Sequence, residues 1–260
     1  QNKTTGAPLM IMFENNNTRS GDYEKQRAFP RPGHADFVAH KKFGGFEDYR
    51  GGGHFSGRLT VCLVAAGVVA KKLLQNISVV ATILEIGGEQ DLERGLQKAI
   101  EAKDSIGGIV ECTVKGLPIG LGEPFFDSVE SNIAHAAFSI PAVKGVEFGA
   151  GFLAAKMFGV EHNDSILDGE GKTETNNAGG IVGGITNGND LVFRIVIKPT
   201  SSTPKEQETL NWETGSVETF SVKGRHDLCI ALRVPPVLEA VTAFVLADLM
   251  LLEGKISRVK

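Results

Sequence analysis

Apolar and polar residues along this chain fall into two recurring spacings, one strand-like and one helical. Residues 191–198 set the polar Arg194 and Lys198 among β-branched and aromatic neighbours, which is the pattern of a strand. Residues 9–14, 78–86 and 108–115 read the same way. Helical spacing covers residues 58–74, 92–102, 125–138 and 236–252. The last places Val237, Val241, Phe244, Val245, Leu249 and Leu252 on one broad face. Pro235-Pro236 suits its start, because proline is tolerated in the first turn of a helix. Residues 23–48 are polar, irregular and interrupted by Pro30 and Pro32, and read as a long loop. Strand pairs alternating with helices predict an α+β layered architecture rather than a doubly wound parallel sheet.

Composition narrows this picture. With 260 residues, 42% of them hydrophobic, the chain can bury a core without staples, and its length alone allows one large domain or two small ones. A net charge of −4 argues against nucleic acid or an anionic membrane as the main partner. It leaves room for a small anionic ligand held by a local arginine cluster. Cys62, Cys112 and Cys229 lie far apart without metal-ligand spacing, and read as reduced, buried thiols. The apolar run at residues 61–70 is too short to span a bilayer, no signal peptide opens the chain, and the cytoplasm is the expected location.

Candidate anion sites are spread along the chain. Lys198-Pro199-Thr200-Ser201-Ser202 follows a strand and offers a cation, hydroxyls and turn amides, which either hold a phosphate or make an ordinary polar turn. No Walker loop is present. Arg31, Arg50, Arg58 and Arg225 sit beside glycines or prolines, and guanidinium forks suit carboxylate and phosphate oxygens. His34, close to Arg31 and Asp36, is either a general acid or an exposed loop histidine. Arg225-His226-Asp227 is a second cluster of that kind. The glycine-rich run from Asn176 to Gly188 either lies against a flat ligand or forms a turn between strands. Gly57-Arg58-x-x-x-Cys62 is echoed by Gly224-Arg225-x-x-x-Cys229, each ahead of an Ala/Val-rich helix, as in two related halves.

Taken in order, these segments resemble the chorismate synthase family. The resemblance runs from Thr4-Thr5-Gly6-Ala7-Pro8 through Asp22-Tyr23, Arg31-Pro32-Gly33-His34-Ala35-Asp36, Arg50-Gly51-Gly52-Gly53 and Val64-Ala65-Ala66-Gly67. It continues through Gly120-Leu121-Gly122-Glu123-Pro124, Ile140-Pro141-Ala142-Val143-Lys144-Gly145, the run at Asn176, residues 198–202 and Gly224-Arg225-His226-Asp227. It implies a β-α-β sandwich with internal pseudo-symmetry, assembled as a homotetramer. The implied reaction is trans elimination of phosphate from 5-enolpyruvylshikimate 3-phosphate to give chorismate, with reduced FMN required and no net redox change. By the same resemblance His34 donates a proton to the departing phosphate, and Asp227 assists deprotonation at the flavin. Arg31 and Arg58 grip substrate, while Ser56, Pro141, Ala142, Gly183, Lys198, Thr200, Ser201, Ser202 and Arg225 fall on FMN-contact positions.

Two departures stand out. His54-Phe55-Ser56-Gly57-Arg58 replaces the commoner Arg-Ser-Ser-Ala-Arg, so altered flavin contacts are expected. The family's N-terminal Phe-Gly-Glu-Ser-His-Gly segment, with its catalytic histidine and an arginine-rich stretch, is not in the sequence, so one N-terminally incomplete domain is expected over residues 1–260. A non-catalytic core that oligomerises or binds flavin, and an unrelated flavin reductase, are the alternatives. No sizeable insertion of the kind that houses a reductase is visible, so an external flavin reductant is expected, with NADPH as an indirect source.

Overall fold

The computed structural model describes residues 6–14, 27–222 and 227–256. Its centre is a four-stranded antiparallel sheet built from β1 (Ser78–Ile86), β2 (Gly108–Lys115), β3 (Val143–Phe148) and a later strand, β6 (Leu191–Ile197), in the order β1-β2-β6-β3. The period-two alternation works as expected. Val110, Cys112 and Val114 of β2 and Leu191, Phe193, Ile195 and Ile197 of β6 are fully or almost fully buried on one face.

Of six helices among the described residues, the third, fourth and sixth pack on the sheet and the second packs on the sixth. α1 (Asp36–Phe43) precedes α2 (Thr60–Leu73), α3 (Leu92–Ala102), α4 (Val129–Ala137) and the single turn α5 (Gly159–His162), and α6 (Pro235–Leu252) closes the chain. In α3 the Asp91 side chain accepts from the amides of Glu93 and Arg94, capping the first turn, and Lys103 ends the helix in the left-handed conformation. α6 is the spine of the core. Val237, Leu238, Val241, Ala243, Leu246 and Ala247 are all buried, each large side chain contributing about 1.5–3 kcal/mol. Thr242, also buried, donates to the Leu238 carbonyl at 2.8 Å. α2 crosses α6 where Gly67 meets Ala240, a contact so close that a Cβ on Gly67 would lie 2.3 Å from the Ala240 Cβ.

Several expectations need correction. Residues 9–14 are irregular rather than a strand. The long loop contains α1, which starts at Asp36. The helix read over 125–138 is a 3-10 turn at Phe125–Asp127 followed by α4, whose N-cap Ser128 accepts from the Ser131 amide. The helix read over 58–74 opens with a 3-10 turn at Gly57–Leu59. β3 and two small hairpins, β4 (Ile181–Val182) with β5 (Ile185–Thr186) and β7 (Gln207–Leu210) with β8 (Val217–Phe220), were not anticipated. Leu252 is 75% exposed, because α6 is buried on several sides and its last residue reaches past the core instead of continuing one apolar face. Cys62 is exposed on α2, whereas Cys112 and Cys229 are buried, and all three are free thiols. Residues 61–70 are too short to span, as expected; among the described residues α6 is long and apolar enough to cross a membrane by length and composition, and most of it is buried in this core.

The Gly-Arg-x-x-x-Cys echo has a structural counterpart on one side. Gly57–Leu59 leads into α2, and a similar 3-10 turn, Ile230–Arg233, leads into α6. Gly224 and Arg225 lie outside the described residues.

Candidate functional site

Antiparallel pairing brings the C-terminal end of β6 to the N-terminal ends of β2 and β3, through Gly108↔Ile197 and Val143↔Ile197. The chain leaving β6 at this edge is the Lys198–Ser202 turn. It is pinned by Ser105 Oγ donating to the Thr200 carbonyl at 2.8 Å and by Thr203 Oγ1 donating to Asp104 Oδ1 at 2.7 Å. The Thr203 bond holds the Asp104 carboxyl below its usual range despite partial burial. The Lys198 amide donates to the Ala142 carbonyl at 3.0 Å, so Pro141 and Ala142 share the edge, and Ala142 takes a positive φ of 74°.

Lys198 Nζ lies 3.3 Å from Ser201 Oγ and 3.2 Å from the Pro199 carbonyl. Among the described residues no carboxylate pairs with it. Burial and the neighbouring Lys144 ammonium both push the Lys198 amine below its ordinary value. A lysine that feels a second cation, beside hydroxyls and turn amides, is a site that an anion would complete.

The segment containing α1 is fastened to this turn. Arg31 Nη1 donates to Ser202 Oγ at 3.2 Å. Asp36 accepts from Arg31 Nε at 2.7 Å, Arg31 Nη2 at 2.9 Å and the Arg31 amide at 3.1 Å, and its Oδ1 lies 2.5 Å from His34 Nδ1. Burial alone would raise the Asp36 carboxyl. Hydrogen bonds from Arg31 and His34, together with their charge, outweigh it and hold the group well below the usual carboxylate range. His34 and Arg31 are each 18% exposed and Asp36 26%, so the cluster lines a cleft and is not free in solvent. Gly52, in the 3-10 helix Arg50–Phe55, takes φ 86°, and a Cβ there would lie 3.5 Å from His34 Nε2 and 3.8 Å from the Ser56 Cβ. Ser56 caps the next turn, accepting from the Arg58 amide at 3.3 Å and from Arg58 Nε at 3.1 Å. Behind Arg31 and Asp36 is a cavity of about 90 Å³ that also meets Tyr49 and Trp212.

A family profile described as Chorismate synthase matches residues 1–251. The chain belongs to the chorismate synthase family. It is 76% identical over 257 residues to a chorismate synthase of Chitinophaga pinensis, covering 98% of this chain and 77% of that one. It is 44% identical over 289 residues to one from Dehalococcoides mccartyi, covering 99% of this chain and 79% of the relative. A solved chorismate synthase structure superposes with a TM-score of 0.66 at 27% identity, over 83% of this chain and 70% of the other. The α+β class expected from the sequence holds, and the fold is that of a chorismate synthase.

Against this family background, the residues singled out in the sequence fall into three groups. His34, Arg31, Ser56, Lys198, Thr200, Ser201, Ser202, Pro141 and Ala142 gather along one edge of the sheet and the segment packed on it. Arg58 is exposed beside Ser56. Asp227 reaches the same edge, since the next residue, Leu228, accepts from the Ile106 amide at 2.8 Å next to Ser105. Its carboxylate is held by Arg233 at 2.7 and 2.8 Å. Gly183 does not join them. It lies in the β4–β5 turn, whose neighbour Gly184 accepts from the Val129 amide, near the N-terminal end of β6. The length of β6 separates it from Lys198, roughly 20 Å at the rise of a strand. Arg225 lies outside the described residues.

Sequence reasoning passed over Asp104 and Ser105 and met Lys144 and Gly52 only inside longer motifs, without a part in the site, because those parts come from positions distant in the chain. Asp36 was visible as the last residue of the His-Ala-Asp triplet, and its local spacing to His34 was the available signal. The lysine pair, the hydroxyls of Thr200, Ser201 and Ser202 and the positive-φ backbone at Ala142 fit a phosphate-bearing planar cofactor such as FMN. Among the described residues no cluster of His, Cys, Asp and Glu could hold a metal ion.

Proposed function

We propose that this protein catalyses the trans elimination of phosphate from 5-enolpyruvylshikimate 3-phosphate to give chorismate, a carbon–oxygen lyase reaction of aromatic biosynthesis. The observation that carries the reading is the Arg31–Ser202 bond at 3.2 Å, which fastens the His34 cluster to the Lys198–Ser202 turn. A proton donor and an anion cradle thus share one cleft. Reduced FMN, when bound, supplies electron density as phosphate leaves and recovers it, without net redox change.

Each residue then has a task. Lys198, Thr200, Ser201 and Ser202 hold phosphate oxygens by charge-assisted and hydroxyl bonds. Arg225 joins them in binding the cofactor, and Pro141, Ala142, Ser56 and Gly183 give it backbone and small side-chain contacts. Arg31 keeps one Nη1 hydrogen beyond its bonds to Ser202 and Asp36 and the approach of Nη2 to the His34 ring, and this hydrogen serves substrate together with Arg58. Imidazolium His34 gives a proton to the departing phosphate oxygen, lowering the charge on the leaving group. Asp227 is the proton acceptor at the same edge.

The assembly we infer is a homotetramer. Phe125, Phe126, Phe152 and Phe158 are 88%, 92%, 82% and 77% exposed, and rings of this size suit burial against a neighbouring copy. We place the enzyme in the cytoplasm, with its flavin reduced by an external system that draws on NADPH.

The deciding experiment is an anaerobic assay of the complete gene product with reduced FMN and 5-enolpyruvylshikimate 3-phosphate, following chorismate absorbance. Absence of product refutes the proposal, and NADPH-dependent flavin reduction in its place identifies a reductase. His34→Ala should slow turnover by about 10²–10⁴-fold.

A further inference from the structure

The Asp36 carboxylate is saturated. Oδ2 accepts from the Arg31 amide at 3.1 Å and from Arg31 Nε at 2.7 Å, while Oδ1 takes Arg31 Nη2 at 2.9 Å and faces His34 Nδ1 at 2.5 Å. An ionised carboxylate only accepts, so the nitrogen at 2.5 Å must carry the hydrogen. Arg31 Nη2 also lies 3.0 Å from Nδ1 and 3.3 Å from Nε2. A guanidinium only donates, and a protonated Nδ1 has no lone pair to offer it, so the 3.0 Å approach is contact, whereas the Nε2 lone pair can accept from Nη2 in a long bond of 3.3 Å.

The remaining ring nitrogen, Nε2, faces the gap left by Gly52. A side chain there would begin 3.5 Å from Nε2, and the Ser56 Cβ borders the same space. Arg31 on its own would oppose a positive imidazole at this distance, and the shared carboxylate between the two cations offsets that repulsion.

We propose that Asp36 is the positioning residue of this site: it keeps a hydrogen on His34 Nδ1, so that the proton the imidazolium gives up leaves from Nε2, along Gly52, and the neutral ring left behind is the Nδ1–H tautomer. The inference rests on the reading of His34 as the proton donor, but its physical core, the tautomer, can be measured apart from any reaction. Histidines that act through one nitrogen are commonly fixed by a hydrogen bond at the other.

The discriminating variant is Asp36→Asn, which keeps the size and shape of the side chain. Its single oxygen is best used by the two Arg31 donors now on Oδ2, which turns the amide NH₂ toward His34 Nδ1. Nδ1 must then accept, and the tautomer inverts. Magic-angle-spinning ¹⁵N spectra of protein labelled in the histidine rings read this directly, at a pH where the ring is neutral. The His34 signals are assigned by their loss in His34→Ala.

The wild type should show a protonated Nδ1 and a bare Nε2, and Asp36→Asn the reverse. The turnover number should fall about 10²–10⁴-fold in that variant with KM within a few-fold of wild type. Asp36→Ala, which offers Nδ1 no partner, should give a tautomer mixture. A wild-type His34 protonated on Nε2, or spectra unchanged in both variants, overturns the proposal. Inverted tautomers in a protein that forms no chorismate uphold the positioning role and refute the reaction assigned to it.

Discussion

Gly52→Ala separates folding from chemistry at this site. An L side chain at the Gly52 φ of 86° carries a backbone penalty of about 1–3 kcal/mol. The new methyl itself clashes with nothing, since its nearest neighbours, His34 Nε2 and Cε1, would be 3.5 and 3.6 Å away at ordinary contact distance. For a domain of this size each kcal/mol lowers Tm by about 2–4 °C, so the variant should melt roughly 2–12 °C below wild type and remain folded at 25 °C. The methyl, however, occupies the space from which a leaving group approaches Nε2. Loss of general-acid catalysis is about 10²–10⁴-fold, equivalent to about 2.7–5.4 kcal/mol at 1.36 kcal/mol per tenfold. The assay pairs anaerobic chorismate formation with a thermal melt and flavin titration on the same preparation. Turnover should fall by that factor while FMN affinity stays near wild type, and combining Gly52→Ala with His34→Ala should add little, because both remove one function. A folded Gly52→Ala enzyme with near-normal turnover, or losses that multiply in the double variant, would refute this reasoning.

Further outcomes follow from other parts of the fold. Asp36 is held below the ordinary carboxylate value of 3.8, so in acid the unfolded chain binds a proton that the folded protein does not. The stability this confers is present above pH 3.8 and is lost as pH falls through the folded value. Asp36→Asn should therefore melt below wild type at pH 7, with the gap closing in acid, and a gap independent of pH would contradict the assignment. Burial pushes the Cys112 thiol up to about 12 and also raises Cys229, whereas Cys62 is exposed. A native-state thiol titration should show one fast cysteine, lost in Cys62→Ser, and equal rates for all three would be inconsistent with this core. Gly67→Ala gains about 0.8–1 kcal/mol of helix propensity, but its Cβ would sit 2.3 Å from the Ala240 Cβ and 2.5 Å from the Ala240 Cα. Overpacking of this kind costs about 1–3 kcal/mol, so Tm should drop and partly recover with Ala240→Gly, whereas a Tm at or above wild type would show that the helices separate freely.

Local pattern was enough for the elements whose partners lie close in sequence or whose alternation is strong. β1 and β2 were legible at Ser78–Ile86 and Gly108–Lys115, and α3 at Leu92–Ala102, because burial on one face imposes a period the sequence must carry. Residues 9–14 carry a strand-like pattern yet join no ladder among the described residues, since a strand exists only through its partner. β3 failed in the opposite direction. Val143-Lys144-Gly145-Val146-Glu147-Phe148 is a short edge strand with a bulge, and it becomes a strand by pairing with β6. α1 was hidden in a polar loop because it has no sustained apolar face, and only Ala39 of its eight residues is buried.

The site divides along the same line. From its residues alone the chain displayed arginines, a histidine and a hydroxyl-rich turn, and their order along the chain carried the family resemblance. The relation of His34 to Asp36 was already within reach, two residues apart. Tertiary structure decided the rest: that Arg31 meets Ser202 across 171 positions, that Lys198 lies by Ser201 within the field of Lys144, and that Gly183 sits at the far end of β6. Sequence records which donors and acceptors a chain possesses. Strand register and helix packing determine which of them share a cleft, because those contacts form only when distant segments are buried against one another.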